Sequence, residues 1–131
     1  MTNEINVNQD VVLMPSQTIS STSVVSSSDQ NNPYWRGCVI YLNISQASGT
    51  GGLGINLQYK DPVSGNYDTV WQSPTAKTTV GLFCYLIYPS TGLITDTGGA
   101  ADAVLPRTWR IQIAPQDSST YTFSVGASMI K

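Results

Sequence analysis

The sequence contains no histidine, and its 131 residues include only six basic and eight acidic side chains. The missing imidazole removes His-dependent triads, the commonest general base and every His-containing zinc site. With a net charge of −2, no cationic stripe exists for a nucleic-acid backbone, so no nucleic-acid partner is expected. No apolar run approaches the ~20 residues that span a bilayer, and no membrane association is expected. Residues Met1 to Asp10 are polar and lack the apolar core of a signal peptide, which points to a product made inside a cell and not exported by the general route. The two cysteines, Cys38 and Cys84, stand alone in apolar runs without CxxC spacing. They are expected to be buried, reduced thiols.

Neutral polar groups replace the scarce charges: 16 Ser, 14 Thr, 8 Asn and 8 Gln. Eleven Gly and seven Pro are dispersed along the chain. Hydroxyl-rich segments with frequent turn residues favour strands over helices.

The hydrophobic period is two from about residue 17 onward. Gln17 to Val25 reads as a weak edge strand, and Ser26 to Pro33 as a loop. Cys38 to Ser45 turns Cys38, Ile40, Leu42 and Ile44 to one side. Leu53 to Tyr59 repeats the pattern. The Gly-rich segment at 49–52 is a turn, since neither Lys-Ser/Thr nor a helix follows to make a phosphate cradle. Lys60 to Gly65 reads as a hairpin loop, and Asn66 to Gln72 as its return strand with Tyr67, Thr69 and Trp71 on one face. The run Val80 to Tyr88 (VGLFCYLIY) is apolar on both faces, so it is either doubly buried or covered by a partner. Ser90 to Pro106 reads as a long loop. Arg107 to Ala114 and Tyr121 to Ile130 alternate again. The expectation is an all-β, antiparallel β-sandwich or flattened barrel of about seven strands over 17–131, preceded by an extended N-terminal arm over 1–16. Ile40, Leu42, Leu57, Trp71, Trp109, Ile111 and Phe123 are expected in the inter-sheet core.

Candidate chemistry is sparse. Asp96-Thr97-Gly98 matches the aspartic-protease signature, whose mechanism needs two carboxylates sharing a proton. A bracing apolar-apolar-Gly element half a domain downstream is missing, and Asp and Gly are ordinary loop residues. The other carboxylates lack paired or calcium-loop spacing. No catalytic residue, metal or cofactor is expected. The candidate partner-binding residues are instead Val11, Val12 and Leu13 in the arm, Trp35 at a strand entrance, and Arg107 and Arg110 flanking Trp109. The arginines could clamp a partner's carboxylates or be solvated outward residues of one strand. The arm is too polar to order itself, so it is expected to be held by a neighbour and to be removable without unfolding the domain.

Taken in order, Arg36-Gly37, the hairpin Lys60 to Tyr67 (KDPVSGNY), Tyr88-Pro89, Leu105 to Arg110 (LPRTWR) and Ser124 to Ser128 (SVGAS) resemble small virion proteins encoded among the head genes of tailed bacteriophages. These segments span residues 36–128. The resemblance implies a structural particle component, and the size fits a capsid decoration or cement protein. It further implies attachment to the phage major capsid protein, a homo-oligomer (trimer or dimer), and a place on the capsid surface of the virion after synthesis in the host cytoplasm. A tail or head-completion component is the alternative within that class. A carbohydrate-binding module using the tryptophans is the alternative outside it, and an Asp96 protease is remote.

Overall fold

The computed structural model describes residues 9–89 and 99–131. Among these there is no helix, and ten strands form two packed sheets. In chain order they are β1 (Gln9–Ile19), β2 (Val25–Ser26), β3 (Gln30–Asn31), β4 (Gly37–Ala47), β5 (Leu53–Lys60), β6 (Tyr67–Gln72), β7 (Gly81–Tyr88), β8 (Gly99–Asp102), β9 (Thr108–Pro115) and β10 (Tyr121–Ile130). The first sheet runs β1-β10-β4-β7-β8, antiparallel except for the β7–β8 pair, which is parallel. The second sheet is antiparallel and centres on β9 and β5, with β6 on one edge and β2 and β3 in turn on the other. The fold is therefore the expected β-sandwich.

Strict alternation builds its core. Cys38, Ile40, Leu42 and Ile44 of β4 face Leu53, Ile55 and Leu57 of β5 and Ile111 and Ile113 of β9, all fully buried. Tyr121, Phe123, Val125, Ala127 and Met129 of β10 complete the layer. At about 25 cal/mol per Å² of buried apolar area, this layer is the main stabilising term.

Four features depart from the sequence reading. The expected boundary between arm and domain at 16/17 does not exist, because residues 9–16 belong to β1, which pairs with β10 along its length. Two bulges in β1 explain why no period was visible: Leu13 is an extra residue between the pairs Val12–Gly126 and Met14–Val125, so Leu13 and Met14 are both buried. Pro15 sits in the second bulge on this edge strand, where no ladder donor is lost. In the expected loop 26–33, Ser27 holds a broken edge strand together: its N–H donates to Ile111 O at 2.8 Å, and its Oγ accepts from Ile111 N at 3.0 Å. A bulge at Val70 in β6 reverses the expected facing, so Tyr67 and Thr69 point outward beside Lys60 and Gln58 while Trp71 lies opposite Leu57 on the core side. Finally, the expected loop 90–106 contains β8, and residues 90–98 lie outside the described part of the chain.

At one end of the sandwich the chain crosses between the sheets from β4 to β5 and from β9 to β10. Asp117 ties the two turns together. Its Oδ2 accepts from Gly51 N at 2.7 Å and its Oδ1 from Tyr121 Oη at 2.9 Å, while Tyr121 Oη accepts from Gly52 N at 2.8 Å. Gly52 has φ +85°, and an added Cβ would lie 2.6 Å from Lys77 O, so only glycine fits this turn. The hydrogen bond from Gly51, seconded by Tyr121 and Ser119, holds the Asp117 carboxyl below its ordinary value of 3.8. A depressed folded-state value adds stability above the unfolded value, and that stability is lost as pH falls through the folded one. The urea midpoint is therefore expected to be flat from pH 7 to about pH 5 and to drop below about pH 4. Asp117→Asn should start from a lower plateau and drop less steeply over that acid range. Parallel curves for the two proteins would count against the tie.

Candidate functional site

The two outer faces of the sandwich differ in chemistry. On the second sheet, polar side chains are knitted to one another. Asp29 Oδ2 accepts from Lys60 Nζ at 2.7 Å, and Asp29 Oδ1 accepts from Tyr67 Oη. These bonds, Lys60 first, hold the Asp29 carboxyl below its ordinary value. The Arg110 guanidinium lies 3.5 Å over the Tyr67 ring, and its Nε donates to Gln58 Oε1 at 2.7 Å. Gln58 Nε2 in turn donates to Thr69 Oγ1 at 2.9 Å. An open cleft of about 630 Å³ lies between residues 29–31 and the 61–65 turn, lined in part by Asp29, Asn31, Lys60 and Ser64. Its charged groups mostly answer each other. Among the described residues, no group of three or more Cys, Asp or Glu could hold a metal ion.

This network corrects the pairing of the arginines. Residues three apart on a strand face opposite ways. Arg110 is spread on Tyr67, whereas Arg107, exposed before β9, reaches Asn31 Oδ1 at 3.4 Å. They form no common clamp. Trp35 is also displaced from its expected exposed position: it is buried at 9% exposure. Asn32 explains this, since its Oδ1 accepts from Trp35 N at 2.7 Å and its Nδ2 donates to Trp35 O and Leu105 O at 2.7 and 2.9 Å. Trp109 is buried, while Trp71 is half-buried against Tyr85 at 5.8 Å and lines a shallow hollow with Thr69, Val70 and Gln72. Of the arm residues, Leu13 is buried and Val11 packs against the core, so only Val12, 73% exposed, is presented outward. The Asp96-Thr97-Gly98 motif lies outside the described residues.

The outer face of the first sheet is poorer in charge, and its hydroxyls also bond one another: Thr18 Oγ1 lies 2.8 Å from Thr122 Oγ1, which donates to Gln46 Oε1 at 3.2 Å. Four of its five strands, β1, β10, β4 and β7, contain one charged residue, Asp10, whose Oδ1 accepts from Ser128 Oγ at 2.8 Å, and the fifth, β8, ends at Asp102. Register sets Val12, Gly126, Tyr41 and Cys84 in one row across the sheet, with Asp10, Ser128, Val39 and Leu86 in the next. Leu82, at 53% exposure, extends the apolar band along β7. The expectation that Val80 to Tyr88 is apolar on both faces thus resolves into Phe83, Tyr85 and Ile87 inward and Leu82, Cys84 and Leu86 outward. Cys38 is fully buried, and desolvation pushes its thiol up to about 12. Cys84 is only half-buried, which corrects its expected place in the core. It lies three ladder positions from Cys38 on the other face of the sheet, which forbids a disulfide within the chain.

The fold is an all-β sandwich whose two outer faces differ mainly in how much charge they carry. Compared with known proteins, the chain matches no protein-family model, no curated protein and no solved structure.

Proposed function

We propose that this chain is a structural component of an assembled particle, a decoration or cement protein bound to the outer surface of a tailed-phage head, where it reinforces the shell. The observation that carries the reading is the outer face of the first sheet, where β1, β10, β4 and β7 carry a single charge, Asp10, and Val12 and Leu82 stand exposed. A charge-poor patch of this kind serves protein–protein contact. The resemblance of segments within residues 36–128 to phage head-gene products supports this choice of particle, and the absence of histidine removes the commonest catalytic base. The test is binding of the purified protein to heads that lack it, with the number of copies counted at saturation. Saturable attachment at hundreds of copies per head is the expected result. A ring of about six or twelve copies would move the protein to the neck or tail, and no attachment to heads would overturn the reading.

A further inference from the structure

Strand register lines up three amides on the outer face of the second sheet. Gln112 of β9 pairs with Asn56 of β5, and Asn56 pairs with Gln72 of β6. The neighbouring row, Arg110, Gln58 and Thr69, is joined by its own hydrogen bonds, and Gln112 Nε2 donates to Ser26 Oγ at 3.0 Å. Asn56 and Gln72 differ from these. Among the described residues, neither side chain has a hydrogen-bond partner. The next row is small, Gly54 beside Ala114, and the chain leaving β6 walls it with Ser73 and Pro74. A cup of about 280 Å³ results, with Gly54 and Ala114 as its floor and Asn56, Gln72 and Gln116 around it.

Gly54 is the pointer to a ligand. Glycine weakens a strand, and its presence there often marks the close approach of a ligand or another backbone. Gly54 has no positive φ, and an added Cβ would stand 3.7 Å from each of Ala114 O, Gln116 Nε2 and Ser73 Oγ, ordinary van der Waals distances. Neither backbone conformation nor packing requires glycine at this position. What it supplies is the open space above it.

From this cup we infer a binding site for a neutral saccharide, one sugar unit resting its C–H face on Gly54 and Ala114 with its hydroxyls toward the amides. The site lies on the opposite sheet from the face read as a docking surface and does not depend on it. An amide offers a carbonyl acceptor and two N–H donors in one plane, a pattern that answers adjacent hydroxyls, each both donor and acceptor. Ser73 Oγ already accepts from Ile55 N at 3.0 Å, which leaves its O–H as a further donor. Gln116 Nε2 donates to Ala114 O at 2.9 Å, which leaves its Oε1 as an acceptor. Among the described residues, none that lines the cup is charged or aromatic. An anion therefore finds no counter-charge there, and a nucleobase finds no ring to stack on. Drug-sized ligands occupy pockets of about 300–1,000 Å³, so this smaller cup suits a single sugar unit.

NMR of the isotope-labelled full chain tests the site, with glucose, galactose, mannose and N-acetylglucosamine added in turn to millimolar concentrations. At least one is expected to give saturable shifts in the side-chain amide signals of Asn56, Gln72 and Gln116 and in the Gly54 N–H. Gly54→Val fills the cup and should abolish them. Asn56→Ala and Gln72→Ala, at side chains that hold nothing else in the described fold, should each weaken binding about tenfold. N-acetylneuraminate, an acidic sugar, should give no saturable shift. The dispersion of backbone signals reports folding in each variant, and if Gly54→Val unfolds, the two alanine variants decide. The site is overturned if none of the four neutral sugars gives a saturable shift, or if binding survives both alanine variants. Shifts centred on Trp71 or on the Asp29 cleft overturn it too, as does N-acetylneuraminate binding as tightly as a neutral sugar. Attachment to heads is scored separately, so a protein that attaches but takes no sugar refutes only the cup.

Discussion

Replacing Trp109 by alanine is expected to cost about 3–5 kcal/mol, the range for deleting a large buried aromatic. Trp109 is 1% exposed, on the inner face of β9 opposite Tyr59 of β5. Its indole N–H has no hydrogen-bond partner among the described residues, so truncation removes packing without orphaning an acceptor. Against a typical domain stability of about 5–15 kcal/mol, the loss takes a large share of what holds the fold. Urea unfolding should show a lowered midpoint with an unchanged slope. A cost below about 1 kcal/mol would mean that β9 runs one residue out of the described register, since a single-residue slip moves every side chain to the other face.

A larger effect is expected from removing β1. A chain starting at Ser16 loses Leu13 and Met14, each worth about 1.5–3 kcal/mol of burial, together with most of the β1–β10 ladder. It also strips one side of β10 and bares a long edge. Such a chain is expected to be unfolded or aggregated at 25 °C, whereas a chain starting at Gln9 keeps every core contact described and should melt within a few degrees of the full chain. Circular dichroism melts of the two truncations decide it. A cooperative, wild-type melt of the Ser16 chain would restore the separable arm that the sequence suggests.

The contrast between β1 and β10 shows what a single sequence exposes. Tyr121 to Ile130 alternates without a break, and its limits and facing were readable directly. The chain from Asp10 to Ser16 makes the same ladder on the next strand, yet its two bulges put neighbouring Leu13 and Met14 on one side and erase the period of two. Val70 does the same on β6, turning Tyr67 and Thr69 outward while Trp71 keeps its expected core side. β8 carries the backbone sequence Gly-Ala-Ala-Asp, which has little strand propensity and pairs because β7 offers an edge. For the outer face of the first sheet, the run on β7 is conspicuous in the sequence. Its neighbours Val12, Val39 and Tyr41 are not, because which strand lies beside which is decided by pairings between residues far apart in the chain.

The position of β10 also bears on how the molecule comes into being. Residues 121–130 occupy an interior place in the first sheet, between β1 and β4, which are made more than seventy residues earlier. During synthesis, β1 and β4 therefore wait unpaired with each other until the strand that joins them leaves the ribosome. Such long-range closure makes folding slow and late. It also means that a prematurely ended chain cannot assemble the sheet on which Val12, Gly126 and Tyr41 meet. Quality control is then built into topology: only chains translated through residue 130 can close the first sheet.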